Sequence, residues 1–217
     1  MKVNLIGITK PSAITDCSTA EQLVAYAARV SNPSNQSNHE TAPKLLSYLM
    51  KHSHWSPFEM VHIVMEIETT RDISRQILRH RSFSFQEFSQ RYAVSSDFET
   101  REARMQDDKN RQNSIPSTDP ALQEMWNMYQ KDHINRSKRL YEWALKNNIA
   151  KEQARAILPE GNTRTTLYMS GSLRSWIHFV QLRSANGTQK EHQEIAIECG
   201  KIIEGHFPSL AGVLLNE

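Results

Sequence analysis

Glycine is scarce in this chain. There are seven among 217 residues, and none lies between Gly7 and Gly161. That gap excludes a Walker phosphate loop and a Gly-x-Gly-x-x-Gly turn, because both cluster glycines to bring backbone N–H groups against a phosphate. Any phosphate must then be held by arginine forks, hydroxyls and helix N-termini. Cysteine is scarcer still: Cys17 and Cys199 stand far apart, with no Cys-x-x-Cys or Cys/His spacing. Such a pair makes neither a disulfide framework nor a zinc site, and it fits a reducing compartment. No apolar run approaches the ~18 residues of a membrane span. The opening MKVNLIGITKPS is too short and too polar for a signal peptide. The expected location is cytoplasmic. Net charge is only +2, so nothing in the balance demands a nucleic-acid or membrane partner.

What remains is an ordinary globular composition, 38% apolar and 23% charged, of a length that suits one domain spanning residues 1–217. Lys2 to Thr9 reads as a strand. Ser18 and Glu21 have capping-box spacing before a helix through Val30. Asn32 to Glu40 reads as a loop, and Thr41 to His52 as a second helix. Val61, Ile63, Met65 and Ile67 alternate with His62, Val64, Glu66 and Glu68, the period of a half-buried strand. Helical spacing returns over Arg71 to His80. Ser82 to Val94 reads as irregular, and the charged Ser95 to Ser117 as a mobile excursion. A long helix is expected over Asp119 to Asn147, with Thr118 as its cap and Leu122, Met125, Trp126 and Tyr129 as core or subunit interface. Lys151 to Leu158, Ser172 to Leu182 and Gln189 to Phe207 complete the helices, and Thr163 to Met169 is β-prone. The expected class is α+β: mainly helical, with a small, mostly antiparallel sheet and no Rossmann unit.

The chemistry concentrates between Arg79 and Tyr92. Arg71, Arg75 and Arg79 recur every four residues along a helix face, with Gln76 and His80 beside them. Arg79-His80-Arg81 then runs into Ser82-Phe83-Ser84-Phe85-Gln86-Glu87-Phe88-Ser89-Gln90-Arg91-Tyr92. Phenylalanines can wall a pocket while arginines and hydroxyls hold a phosphate or a planar heterocycle. A solvated basic face and an RNA-binding strip share this composition, so the residues alone leave those readings open. A metal site on His52, His54 and His62 finds no carboxylate or cysteine at motif spacing.

Arg79-His80-Arg81, seven residues, then Ser89 resembles the RHR-x7-S signature of the flavin-dependent thymidylate synthases. Gln90-Arg91-Tyr92 is similar to the same family. So, in family order, are Ala28-Arg29-Val30-Ser31, His54-Trp55-Ser56-Pro57-Phe58-Glu59, Ala154-Arg155-Ala156-Ile157-Leu158-Pro159, Leu173-Arg174-Ser175 and Gln181-Leu182-Arg183. The resemblance implies conversion of dUMP to dTMP. Methylenetetrahydrofolate would give the carbon, NADPH the reducing equivalents, and FAD would relay the hydride. It implies a homotetramer with shared active sites. Another nucleotide-responsive flavin reductase is the alternative of the same kind.

Carried over position by position, the resemblance assigns FAD to Ser31, Ser56, Glu59, Arg79, His80, Arg81, Gln86, Glu87, Tyr92, Ser172, Arg174 and His178. It assigns dUMP to Gln76, Arg79, Glu87, Phe88, Ser89, Gln90, Arg91, Arg155 and Arg183, with Gln76 and Arg155 reaching in from a neighbouring subunit. Arg183 is the expected catalytic residue: it would face the uracil and stabilise the negative charge that grows as C5 becomes nucleophilic. The resemblance puts Ser89 and Arg91 on the dUMP phosphate; no base with a triad-like role accompanies Ser89, so it is expected to bind substrate rather than attack it. Neither cysteine falls in a family block, so no cysteine nucleophile is expected. Three positions depart from the family pattern. Gln86 stands where asparagine is frequent, Ser172 where some members carry a flavin-contacting asparagine, and Gly187 where some place a histidine.

Overall fold

The computed structural model describes residues 1–215. Its sheet is decided by the period-two alternation. Strand β2 (His62–Thr70) buries Ile63, Met65 and Ile67 completely and leaves His62, Val64 and Glu66 on the other face. β1 (Lys2–Ile8) pairs with one edge of β2 and β6 (Arg164–Ser172) with the other. The short β3 (Ser84–Glu87) completes the order β1-β2-β6-β3, antiparallel throughout. Register places Met65 opposite Met169 and Ile67 opposite Leu167, so both strands present one apolar face. On the reverse face a polar ladder takes over: Asn4 and Tyr168 both donate to Glu66, at 2.8 and 3.0 Å.

Helices cover the apolar face. They are α1 (Ala20–Ala28), α2 (Ala42–Lys51), α3 (Arg71–Ile77), α6 (Leu173–Arg183) and α7 (Lys190–His206), which share one buried cluster with β2 and β6. Trp176 of α6 is fully buried and donates its indole N–H to Ile63 O at 3.1 Å. Satisfying that N–H lets a large ring sit in the core without an orphaned donor. The long α4 (Pro120–Lys146) and the short α5 (Lys151–Ala154) form a second, smaller cluster around Tyr141, Ala144 and Ala154. No described helix is long and apolar enough to cross a membrane.

Several expectations need correction. The capping box of α1 is Thr19 with Gln22, not Ser18 with Glu21; Ser18 instead donates its backbone N–H to the Gln22 side chain at 2.6 Å. The cap of α4 is Asp119, whose carboxylate accepts from Ala121 and Leu122, so Thr118 lies outside. Of the two places expected for Leu122, Met125, Trp126 and Tyr129, the core is excluded, since all four are exposed in the single chain. Ser84 to Glu87 is a strand, not irregular chain, because β6 offers it an open edge. Ser95 to Ser117 is no free excursion. It forms a ribbon, β4 (Arg104–Gln106) with β5 (Ser114–Pro116). Arg101 pairs bidentately with Asp72 at 2.7 Å, and Arg104 pairs with the buried Glu191 at 2.6 Å. Both ties are charge-assisted and mostly out of solvent, which orders a segment that has few apolar residues of its own.

One close approach fixes the Arg79–Tyr92 stretch. A Cβ on Gly171 would sit 2.5 Å from the Phe83 ring, so only glycine lets β6 accept that ring. Phe83 packs edge-on against Trp176 and Phe179, at 4.9 and 6.0 Å between centroids. The chain on either side of Phe83 is thereby held against the sheet and α6.

Candidate functional site

The three arginines spaced four apart do not share a face. Helix α3 ends at Ile77, so Arg79 lies beyond it and is exposed. Arg71 is buried and faces Glu87 at 3.5 Å, while Arg75 is half-exposed between Glu87 at 3.5 Å and Glu160 at 3.1 Å. Glu87 is the hub of this group. Its Oε1 also accepts from the hydroxyls of Ser74 and Thr165, at 2.8 and 3.0 Å. Alternation along β3 turns Glu87 inward and Gln86 outward, so Gln86 is exposed. Ser74, Thr165 and Arg71 were missed as members of this cluster. Arg71 was marked only as part of the arginine stripe, and Ser74 and Thr165 carried no signal of their own.

Beside this cluster lies a cavity of about 270 Å³ lined by Arg71, Arg75, Gln90, Arg155 and Glu160. Arg155 and Gln90 thus line one cavity within a single chain. The Arg155 Nε–H donates to Glu152 O at 3.3 Å. Gln90 is buried and donates to Ser95 Oγ at 3.2 Å. Ser89 and Arg91 form the adjoining turn: Ser89 Oγ accepts from the Arg91 N–H at 3.3 Å, and the Arg91 guanidinium lies 3.3 Å from Glu152. Tyr92 is 84% exposed, and its carbonyl accepts from Lys151 at 2.9 Å. Phe88, half-exposed, lines a separate cavity of about 200 Å³ with Val94, Ser95 and Arg164.

The second group joins the two ends of the motif logic. Arg183 donates its Nε–H to His80 Nε2 at 2.9 Å, across 103 residues of sequence. Burial, then Arg183, then Arg79 push the His80 pKa down to about 4. The ring is therefore neutral near pH 7, and its Nε2 lone pair can accept. The His80 ring is also wedged edge-on against Phe179 at 5.0 Å. His192, which the sequence did not mark, lies 6.1 Å from His80 between ring centroids and is completely buried. Its Nδ1 faces Gln76 Oε1 at 3.3 Å, and the Gln76 amide donates to Gln189 at 2.7 Å. Arg81 is exposed.

The third group surrounds the start of α6. Ser172 caps that helix by accepting from Ser175 N at 3.3 Å. Arg174 donates to Glu59 at 2.8 Å, and hydrogen bonds from Ser172 and Arg174 hold the Glu59 carboxyl below its ordinary range. His178 is exposed and meets Trp55 edge-on at 4.7 Å, so it is no core histidine. Ser56 opens a short 3-10 turn, Ser56–Met60, without capping it. Ser31 lies apart, in a cleft of about 480 Å³ lined also by Arg29, Thr41, Lys44 and Tyr48. Arg29 itself is buried and ties this region together through Asn38 O and Thr41 Oγ1. Gly187 has φ +94°, a left-handed conformation that a histidine there would strain.

One helix separates the second and third groups. Arg174 and Arg183 are nine residues apart, two and a half turns, so they project from opposite faces about 14 Å apart along the axis. His178 stays on the Arg174 side. A single chain thus presents the Arg183–His80 group and the Arg174–Glu59 group as separate surfaces on opposite sides of α6. Among the described residues no cluster of three or more His, Cys, Asp or Glu is placed to hold a metal ion.

Residues 13–209 match the family described as thymidylate synthase complementing protein. A relative from Paramecium bursaria Chlorella virus 1, named probable flavin-dependent thymidylate synthase, is 51% identical over 99% of both chains. The flavin-dependent thymidylate synthase of Synechocystis sp. is 50% identical over 99% of both. Among solved structures, the UMP/dUMP methylase PolB from Streptomyces cacaoi, bound with 5-Br dUMP, superposes with a TM-score of 0.81 at 25% identity. That match covers 96% of this chain and 91% of PolB. The match over nearly its whole length, at half identity, places this chain in the flavin-dependent thymidylate synthase family.

Proposed function

We propose that this chain, as one domain over residues 1–217, methylates dUMP to dTMP. Methylenetetrahydrofolate would be the carbon donor, NADPH the reductant and FAD the cofactor. The observation that carries the reading is the Arg183–His80 hydrogen bond. It holds a guanidinium at its Nε, and among the described residues its two terminal nitrogens have no hydrogen-bond partner, so both can donate to a substrate. A neutral imidazole is the right partner, because it orients Arg183 without quenching its charge. A guanidinium so placed stabilises negative charge growing on a pyrimidine ring. A structural neighbour that binds a bromo-dUMP supports uracil nucleotide as the ligand.

The donor set also suits a flavin dinucleotide in a chain without a glycine loop. Among the described residues Arg79 and Arg81 are exposed and have no carboxylate partner, which fits a diphosphate. Arg174, Glu59, Ser56 and His178 form the second polar surface. Bound FAD supplies hydride exchange with NADPH. Because the two surfaces lie on opposite faces of α6, a complete site needs more than one chain. The exposed Leu122, Met125, Trp126, Tyr129 and Trp143 on α4 give apolar area for such an assembly, read here as a homotetramer.

No enzyme thiol is assigned to the reaction. Cys199 is fully buried in α7, and burial pushes its thiol pKa up, away from the reactive thiolate. Cys17 Sγ is hydrogen-bonded to Thr15 O at 3.5 Å, next to the N-terminus of α1. Purified protein should carry flavin absorbance, and dUMP should change the rate at which NADPH bleaches it. A flavin that NADPH reduces at one rate with and without dUMP would favour a plain flavin reductase. Arg183→Ala should lower turnover at least 100-fold, the scale of a lost charge-stabilising donor.

A further inference from the structure

We infer that Gln189 and Glu191 are positioning residues that lock the side-chain amide of Gln76 in one orientation and His192 in one tautomer. The inference rests on the reading that Gln76 faces the nucleotide. Its basis is a chain of hydrogen bonds with fixed polarity. Glu191 is buried and forms an ion pair with Arg104, whose guanidinium donates to Oε1 at 2.6 Å. An ionised carboxylate only accepts. Its Oε2 therefore takes an N–H from Gln189, at 2.9 Å. That turns the Gln189 carbonyl toward Gln76, which must donate to it, at 2.7 Å. The Gln76 carbonyl then faces His192 Nδ1 at 3.3 Å and requires a proton there. Each amide could be flipped alone at little cost. In series they cannot, because one reversed amide sets two donors or two acceptors face to face in a partly buried place.

Two consequences follow for the site. Gln76 keeps one N–H uncommitted, so it is presented to a ligand as a donor, suited to a phosphate or carbonyl oxygen. A flipped Gln76 would present its carbonyl lone pair to the same oxygen and repel it. His192 keeps its proton on Nδ1 and leaves Nε2, which is buried with no partner among the described residues, as a bare lone pair. The anchor of the chain is the β4–β5 ribbon, through Arg104. A segment outside the signature motif thereby sets the polarity of a residue inside the site.

The test uses the flavin-saturated protein. Gln189→Met breaks the series while sparing the Arg104–Glu191 pair. The double variant Glu191→Gln with Arg104→Met removes the anchor without leaving a buried charge. In wild type, ring nitrogen-15 spectra of His192 should show a single Nδ1–H tautomer, and in both variants a mixture. KM for dUMP should rise about tenfold in both, the scale of one lost hydrogen bond, with kcat changed far less. A wild-type ring protonated on Nε2, or variants that keep both the single tautomer and the wild-type KM, would overturn the inference. A wild type indifferent to dUMP would instead refute the functional reading, and the tautomer measurement would still decide the relay.

Discussion

The sharpest quantitative consequence of the site concerns acid. His192 is completely buried; burial first, then Arg183 and His80, push its pKa from 6.5 to about 3. In the folded protein the ring stays neutral at pH 5. In the unfolded chain it takes up a proton below its ordinary pKa. The unfolded state then binds more protons, so stability is lost as the pH drops. The contribution is complete above about pH 7.5 and is lost progressively from 6.5 down toward 3. At pH 5 the gap is about 1.5 pH units at 1.36 kcal/mol each, a loss of about 2 kcal/mol. For a chain of this size that is roughly 4–8 °C in Tm. His80 acts in the same direction, but it is partly exposed and counts for less. His192→Asn keeps a donor near Nδ1 and cannot titrate. Urea unfolding at pH 7.5 and 5.0, at fixed protein and flavin concentrations, measures both proteins. The variant is expected to be less stable at pH 7.5, yet to lose about 2 kcal/mol less than wild type on going to pH 5. Equal losses in the two proteins would refute the assignment of a buried neutral His192.

Glu87→Ala leaves Arg71 buried opposite no carboxylate and strands the Ser74 and Thr165 hydroxyls. It should destabilise by about 3–5 kcal/mol in denaturant titration; a change under about 1 kcal/mol would show that Glu87 is no hub. Cys17→Ala with Cys199→Ala should form dTMP at near wild-type rate once folded. Abolished turnover in a protein with native circular dichroism would restore a thiol to the mechanism.

The strongest sequence signals were those written locally. Alternation from Val61 to Ile67 gave β2 and its buried face, because a strand half in water must sort its residues by two. The helices followed from apolar spacing in the same way. The α1 cap slipped by one residue because Ser18 and Thr19 are equally able to cap. β3 escaped notice because its partner, β6, lies some eighty residues on, and four residues carry too little period. The ribbon at 95–117 escaped because its order comes from Asp72 and Glu191, elsewhere in the chain. In the site, the motif pointed to Arg79 to Tyr92, and the separate block Gln181-Leu182-Arg183 pointed to Arg183. Neither revealed that His80 and Arg183 touch, that Glu87 is held by Ser74 and Thr165, or that His192 lies beside His80. Each of those is a contact between distant elements, visible only when the sheet and α6 are assembled.

The central claim is that Arg183, oriented by a neutral His80, serves methylation of dUMP on a flavin-loaded protein. The direct measurement is chromatographic quantification of dTMP from dUMP, methylenetetrahydrofolate and NADPH, with wild type and Arg183→Ala run at saturating dUMP. Wild type should form dTMP in step with NADPH oxidation, and Arg183→Ala should retain its flavin while forming at least 100-fold less. NADPH oxidation without dTMP in wild type, or full dTMP formation by Arg183→Ala, would contradict the account.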